Sequence, residues 1–321
     1  MVPAIESEHP VPRFSVIIPA YNAEGTIGRA VESVLAQGFE DWELVVCDDG
    51  SSDRTAEKIV SYQSPKIRVI RQANAGCASA SNAAAREAKG EFLCILAADD
   101  EYEPDYLKSQ DSFITAHPDA DFYSCNATLI DASRGTTRLL RDPRARTPEG
   151  YSFAQMLTGN RIFGACTLRR SSFERAGGYV SNSSFYNEDY ELWMRMLRAG
   201  MKHRYNPAVL YRYHLSGESR SADLATVWAD CSKIVGRYAD DEGLSAAVRR
   251  RARRSARHFE AASELARRLA EKDQSGGRQA ALSTVRGLHT PWKRGLGAAV
   301  ALVSPSLYWR LIAEKRAADL L

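Results

Sequence analysis

The chain has 321 residues, 44% hydrophobic and 26% charged, with a net charge of +3, which allows a large core in one or two domains. No run of about 18 uncharged apolar residues is present to span a membrane. The six cysteines, at 47, 77, 94, 125, 166 and 231, show no CxxC spacing, so a reduced cytoplasmic protein is expected.

Residues 1–13 are polar and Pro-rich and predict a flexible arm rather than a secretory signal. Phe14-Ser15-Val16-Ile17-Ile18 reads as a first strand, and residues 24–37 carry Ile27, Ala30, Val31, Val34 and Leu35 at helical spacing. Glu43–Cys47 is a second strand, Asp53–Tyr62 a helix, Ile67–Ile70 a third strand, Ala78–Ala88 an Ala-rich helix and Phe92–Leu96 a fourth strand. Four alternations of strand and helix predict right-handed βαβ units and a largely parallel sheet.

Beyond residue 100 the alternation breaks. Asp121–Ile130 and Ala165–Leu168 are strand-like, and the polar, Arg- and Pro-rich stretch 131–150 predicts a loop. A helix from Glu188 to Ala199 buries Leu192, Trp193, Met196 and Leu197 and stops at Gly200. From 221 onward the chain is helix-forming and basic: residues 241–321 hold 16 Lys/Arg against 8 Asp/Glu, whereas the first 240 hold 27 against 32. This tail suits either an anionic membrane surface, helped by the Trp/Leu-rich stretch Trp292–Ile312, or a solvated helical cap or homodimerisation element. Neither half shows a nucleic-acid motif.

The chemistry gathers where strands end. Asp99 and Asp100 follow the fourth strand in Ala97-Ala98-Asp99-Asp100, and ligands of open α/β sheets bind at the carboxyl ends of strands. Pro19-Ala20-Tyr21-Asn22 ends the first strand and Asp48-Asp49-Gly50-Ser51-Ser52-Asp53 the second. A tyrosine and two carboxylates on one rim can stack on a base and accept a base N–H or a ribose hydroxyl. Read alone, the Asp48–Asp53 stretch is equally a polar turn with a helix N-cap. No Gly-x-Gly-x-x-Gly follows the first strand and no P-loop is present, so a diphosphate needs another counter-charge, which a divalent metal on Asp99 supplies. Asn187-Glu188-Asp189 opens a helix, where acids complement the dipole and where one can also take a proton from a hydroxyl. His214, in Tyr211-Arg212-Tyr213-His214, is either structural or a metal or phosphate contact.

Taken together, Phe14–Asn22, Asp48–Asp53, Asn74-Ala75-Gly76, Ala97–Asp100 and Glu188-Asp189 resemble the family 2 glycosyltransferases, inverting enzymes of GT-A fold. The resemblance covers about residues 14–220. It implies an α/β fold with a Rossmann-like, mostly parallel central sheet flanked by helices, followed by an all-helical extension. Residues 14–115 would form the nucleotide-sugar half, 116–220 the acceptor half and 221–321 the extension.

The resemblance further implies a UDP-sugar donor, Mn2+ or Mg2+, and a saccharide, lipid-linked or small-molecule acceptor hydroxyl, in cell-surface polysaccharide or glycoconjugate synthesis. Donor contacts would come from Pro19, Ala20, Tyr21, Asn22, Asp48, Asp49, Arg71, Asn74, Gly76, Asn82, Ala98, Asp99 and Asp100. Asp99 and His214 would meet the metal, and Asp189, with Glu188, would be the catalytic acids. Residues 130–165 with Phe163, Tyr186 and Trp193 would shape the acceptor side, with core packing the better reading of Trp193. Two positions depart from the family pattern: Ala97 stands for the first acid of the Asp-x-Asp motif, and Ser81 stands before Asn82 where an Arg is common. The alternatives are a non-catalytic nucleotide-sugar-binding relative, which Ala97 motivates, and a sugar nucleotidyltransferase, which would need a Gly-rich phosphate loop that the sequence lacks.

Overall fold

Strand β1 (Phe14–Ala20) is an interior strand of the sheet, with all but one of its side chains buried. The β-branched run Val16-Ile17-Ile18 suits a strand covered on both faces. Strand β2 (Trp42–Asp48) lies parallel to it, Phe14 opposite Trp42 and Ala20 opposite Asp48. Between them α1 (Ile27–Leu35) turns Ile27, Ala30, Val31 and Val34 inward at helical spacing. Helix α2 (Thr55–Val60) leads to β3 (Ile67–Arg71), parallel to β2 with Asp48 opposite Arg71. Helix α3 (Cys77–Glu87) buries Ala78, Ala80, Ala83, Ala84 and Ala85, whose small side chains let its backbone approach β1 and β2. Strand β4 (Phe92–Ile95) then pairs with the other side of β1, Ile17 opposite Ile95. The order β3-β2-β1-β4 is parallel throughout, so the residues after β1, β2 and β4 emerge on one edge. The computed structural model describes residues 11–142, 149–181, 187–215 and 223–270, the last with side chains to 267.

The second half makes the sheet mixed. Strand β5 (Glu101–Tyr102) and helix α4 (Tyr106–Ala116) precede β6 (Phe122–Asp131) and β7 (Thr136–Leu139). The short helix α5 (Phe153–Met156), strand β8 (Cys166–Arg169) and helices α6 (Arg170–Arg175) and α7 (Glu188–Arg198) lead to the long β9 (His203–Leu215). Strand β8 runs antiparallel between β4 and β6, while β9 runs parallel to β6 and antiparallel to β5. The parallel pairing expected of most of the sheet holds for β1–β4 and for the β6–β9 pair, while β5, β7 and β8 pair antiparallel. Strand β7 corrects the loop expected over 131–150: its four side chains are all exposed, so no burial period marks it in the sequence. Trp193 stacks on Phe122, ring centroids 5.2 Å apart, and is wholly buried.

One buried histidine gives this half a pH signature. His203 accepts the Tyr151 N–H on Nδ1 (3.1 Å), which leaves Nε2 to donate to Ser124 Oγ (2.9 Å). Burial first, then the charges of Arg141 and Arg204, pushes its pKa down to about 3. The unfolded chain, with an ordinary His value near 6.5, binds a proton that the folded chain refuses. The stabilisation is thus complete above about pH 6.5 and is lost as pH falls toward 3, with a slope of at most about 1.4 kcal/mol per pH unit. Urea midpoints between pH 7 and pH 4 should show this loss, and His203→Asn should flatten it. An unchanged slope in the variant would refute the assignment.

The chain divides into two units, Met1–Gly217 and Glu218–Leu321. In the second, Asp223 caps α8 (Leu224–Gly236), accepting from Thr226 N (3.2 Å) and Thr226 Oγ1 (2.6 Å). Helix α9 (Ala246–Ala270) packs against it, with Trp228 stacked on Phe259 at 5.6 Å. No described helix is long and apolar enough to cross a membrane. Tyr186 and the stretch Trp292–Ile312 lie outside the described residues.

Candidate active site

The loops after β1 and β2 are stitched into one rim. Asn22, at φ +46°, accepts Ser52 N–H on Oδ1 (2.9 Å) and donates its own N–H to Ser51 Oγ (3.0 Å). Ala23 N–H donates to Thr55 Oγ1 (2.7 Å). Pro19 and the buried Ala20 carry this turn outward and leave the Tyr21 ring 52% exposed on the edge.

The two aspartates at the end of β2 have different tasks. Asp49 is a staple: Oδ1 accepts from Gln72 Nε2 (2.7 Å) and Ala75 N (3.0 Å), and Oδ2 accepts from Gly76 N (2.8 Å). It thereby fixes the exposed Asn74-Ala75-Gly76 loop over the rim. Gly50, at φ +75°, is required beneath that loop, because a Cβ there would meet Asn74 N at 2.9 Å. Asp48 is wholly buried but underused. Its Oδ1 accepts Ser51 N–H (3.0 Å), while Arg71 Nε stands 3.0 Å from Oδ2 without directing an N–H at it. That guanidinium spends Nη2 on Ser51 O (2.9 Å). Asp48 Oδ2 is thus a buried acceptor with an ion-pair partner but no hydrogen-bond donor among the described residues.

The Ala97–Asp100 turn is clamped from two sides. Arg29, on α1, donates to the Asp99 carbonyl through Nε (3.1 Å) and Nη2. Across the turn, Tyr211 of β9 accepts Ala97 N–H (3.3 Å) and donates to Asp100 Oδ2 (2.9 Å), and His214 N–H donates to Asp100 Oδ1 (2.8 Å). Asp100, only 1% exposed, is a strut of the turn. Ala98 and Asp99 stay half-buried on its outer side. His214 Nε2 lies 2.6 Å from Glu101 Oε1, which leaves Nδ1 as its other ring nitrogen.

Among the described residues no three His, Cys, Asp or Glu side chains gather into a metal cage. What is present is one half-buried carboxylate, Asp99, and a histidine oriented through its second nitrogen by a carboxylate, the usual bracing of a ligating imidazole. Mg2+ and Mn2+ bound with a diphosphate need few protein ligands, and this donor set fits that mode and no tighter one.

Asn82 does not face the rim as a free amide. Its Oδ1 accepts Tyr179 N–H (2.9 Å) and its Nδ2 donates to Tyr179 O (2.8 Å) and Ser181 Oγ (2.7 Å). Asn82, expected as a donor contact, braces the segment after α6 in this structure. Glu191 and Arg195 brace the same segment. They pair at 2.8 Å, and Arg195 also donates to the carbonyls of Ala176 and Gly178.

Glu188 and Asp189 occupy the first turn of α7, both half-buried, where the helix N-terminus favours negative charge. Asp189 Oδ2 receives Asn160 Nδ2 at 3.3 Å, and Oδ1 receives its neighbour's N–H (Tyr190, 2.6 Å). Gly164 lies directly against it, since a Cβ there would come 3.1 Å from Asp189 Oδ2. Asn160 and Gly164 fall in the stretch 130–165 expected on the acceptor side, but nothing in the sequence singles them out, nor Arg29 and Tyr211, because all four act by touching partners distant in the chain. Gly164→Ala should move the Asp189 carboxylate by a few tenths of an ångström and lower turnover about tenfold with donor affinity unchanged. Steady-state rates beside a thermal melt test this, and unaltered turnover would show that the contact is slack.

The comparisons with known proteins agree with this architecture. The glycosyl transferase family 2 model matches residues 15–177, and the chain belongs to that family. An uncharacterised glycosyltransferase of Rickettsia typhi is 30% identical over 190 residues, 58% of this chain and 59% of the relative. The Escherichia coli UDP-Glc:alpha-D-GlcNAc-diphosphoundecaprenol beta-1,3-glucosyltransferase is 29% identical over 65% of this chain and 79% of its own length. Among solved structures, a Pyrobaculum calidifontis mannosyltransferase in complex with GDP-Man and Mn2+ superposes with a TM-score of 0.63, at 20% identity over 93% of this chain and 83% of that one. Staphylococcus aureus TarS 1–349 in complex with UDP-GlcNAc gives 0.60, at 18% identity over 90% and 81%. These likenesses establish the GT-A-type fold.

Proposed function

We propose that the chain transfers a sugar from a UDP-sugar to a hydroxyl of a saccharide or lipid-linked acceptor, with inversion at the anomeric carbon. The observation that carries this reading is the Asp189 carboxylate, braced by Asn160 and Gly164 on the first turn of α7 in a family 2 chain. Asp189 takes the proton of the acceptor hydroxyl as its oxygen bonds to the anomeric carbon. The bond from that carbon to the diphosphate breaks, and the nucleoside diphosphate leaves.

On the donor side, Tyr21 offers a face for the base. The unused acceptor Asp48 Oδ2 suits the imide N–H of uracil once Arg71, 64% exposed, lifts away. Mn2+ or Mg2+ held by Asp99 and His214 would neutralise charge on the leaving diphosphate. The E. coli relative, named for a UDP-Glc donor and a diphosphoundecaprenol acceptor, supports both the nucleotide and the lipid-linked acceptor.

A screen of UDP-, GDP- and dTDP-sugars, reading released nucleotide with and without Mn2+ and acceptor, tests the proposal. Metal-dependent release from a UDP-sugar, accelerated by acceptor, is the expected result. UDP binding with no release from any donor would replace it with the binding-only relative that Ala97 motivates.

A further inference from the structure

The first half of α9 breaks two rules of helix stability together. Arg249, Arg250, Arg251, Arg253, Arg254 and Arg257 crowd its N-terminal half, and its first turn contains no acid. Cations near a helix N-terminus oppose the dipole, and like charges at i, i+3 and i, i+4, as in Arg250/Arg254 and Arg254/Arg257, repel. Arg253 has Asp240 at 2.7 Å, but the other five make no ion pair among the described residues.

Their placement is ordered. Arg250, Arg254 and Arg257 follow one another at i, i+4 and i+7 and are exposed. Ala252, Ser255, Phe259 and Ala262 are buried on the opposite face. A local cost with no internal return marks a surface shaped for an external partner.

We propose that this arginine stripe is the surface by which the chain docks on a bilayer rich in anionic phospholipid. The described part of α8 and α9 exposes no large apolar or aromatic side chain on which bases could stack, which favours a lipid surface over single-stranded nucleic acid. Arginine forks match lipid phosphates bidentately. The choice of a bilayer rests on the lipid-linked acceptor proposed above, because such an acceptor confines the reaction to a membrane surface.

The test is co-sedimentation of the full chain with vesicles of phosphatidylcholine containing about a third phosphatidylglycerol, against phosphatidylcholine alone. Binding should require the anionic lipid and weaken with salt. Neutralising the stripe with Arg250→Gln, Arg254→Gln and Arg257→Gln together should lower the partition coefficient about a hundredfold. Lysine at the same three positions should retain most of it. Circular dichroism confirms that the glutamine variant keeps its helices, and nucleotide release with a soluble acceptor should be unchanged in it. Equal binding to neutral vesicles, undiminished binding of the glutamine variant, or tighter binding of a polynucleotide than of anionic vesicles would each overturn the proposal. Because the vesicle readout involves no transfer, failure of the catalytic reading would appear separately, as loss of nucleotide release in every variant.

Discussion

Replacing Asp189 by asparagine is expected to cut sugar transfer by about a thousandfold while leaving nucleotide-sugar affinity within about twofold. Asparagine keeps the shape of the side chain and one oxygen for the Tyr190 N–H, so α7 should start as before. What it lacks is the capacity to take a proton. The rim loops proposed to hold the donor are built around Asp48 and Asp49 and the Asn74–Gly76 segment, whereas Asp189 sits against Asn160 and Gly164. A structural role would appear as a lower melting temperature and a weaker donor together. A catalytic role lowers kcat alone. Turnover near the wild-type rate would refute the assignment of Asp189 as base.

The parts of this fold legible in the sequence are those where burial writes a period. Strands β1–β4 are short apolar runs bounded by polar turns, and α7 carries its apolar face at helical spacing, so their positions follow from pattern alone. Helix α4 shows no clear period, because its inward positions Tyr106, Leu107, Gln110 and Ile114 include a polar residue and are interrupted by Lys108, Ser109 and Asp111. Strand β7 left no trace because nothing on it is buried.

The site shows the same limit at the level of single residues. Adjacent acids look alike in a sequence, yet Asp49 is consumed by three donors while Asp48 keeps an oxygen without one. That difference depends on Gln72 and on the backbone of residues 75–76, which only the folded chain brings together. The partners of Asn82, Tyr179 and Ser181, are likewise invisible in the sequence, since they lie nearly a hundred residues away.

The Asp99/Asp100 pair turns this lesson into a contrast that can be measured. Burial first, and then the charge on Asp99, pushes the Asp100 carboxyl up to about 8. Asp100 is thus the buried member of the pair, where charge is disfavoured, and Asp99 the half-buried one. Asp100→Asn keeps the shape of this buried side chain and removes its capacity for charge. Its oxygen can still accept His214 N–H, while its NH2 replaces the oxygen that accepts Tyr211 O–H, so one hydrogen bond of the clamp is lost. Transfer by that variant should stay within about fivefold of wild type. Asp99→Asn keeps the Arg29 clamp, which grips the backbone carbonyl, but removes the charge. It should abolish stimulation by Mn2+ and lower transfer at least about a hundredfold, with the fold intact. Titrating Mn2+ against nucleotide release for both variants decides the matter. Equal losses would mean that the two acids share the role, and an Asp99 variant that still responds to Mn2+ would place the metal elsewhere.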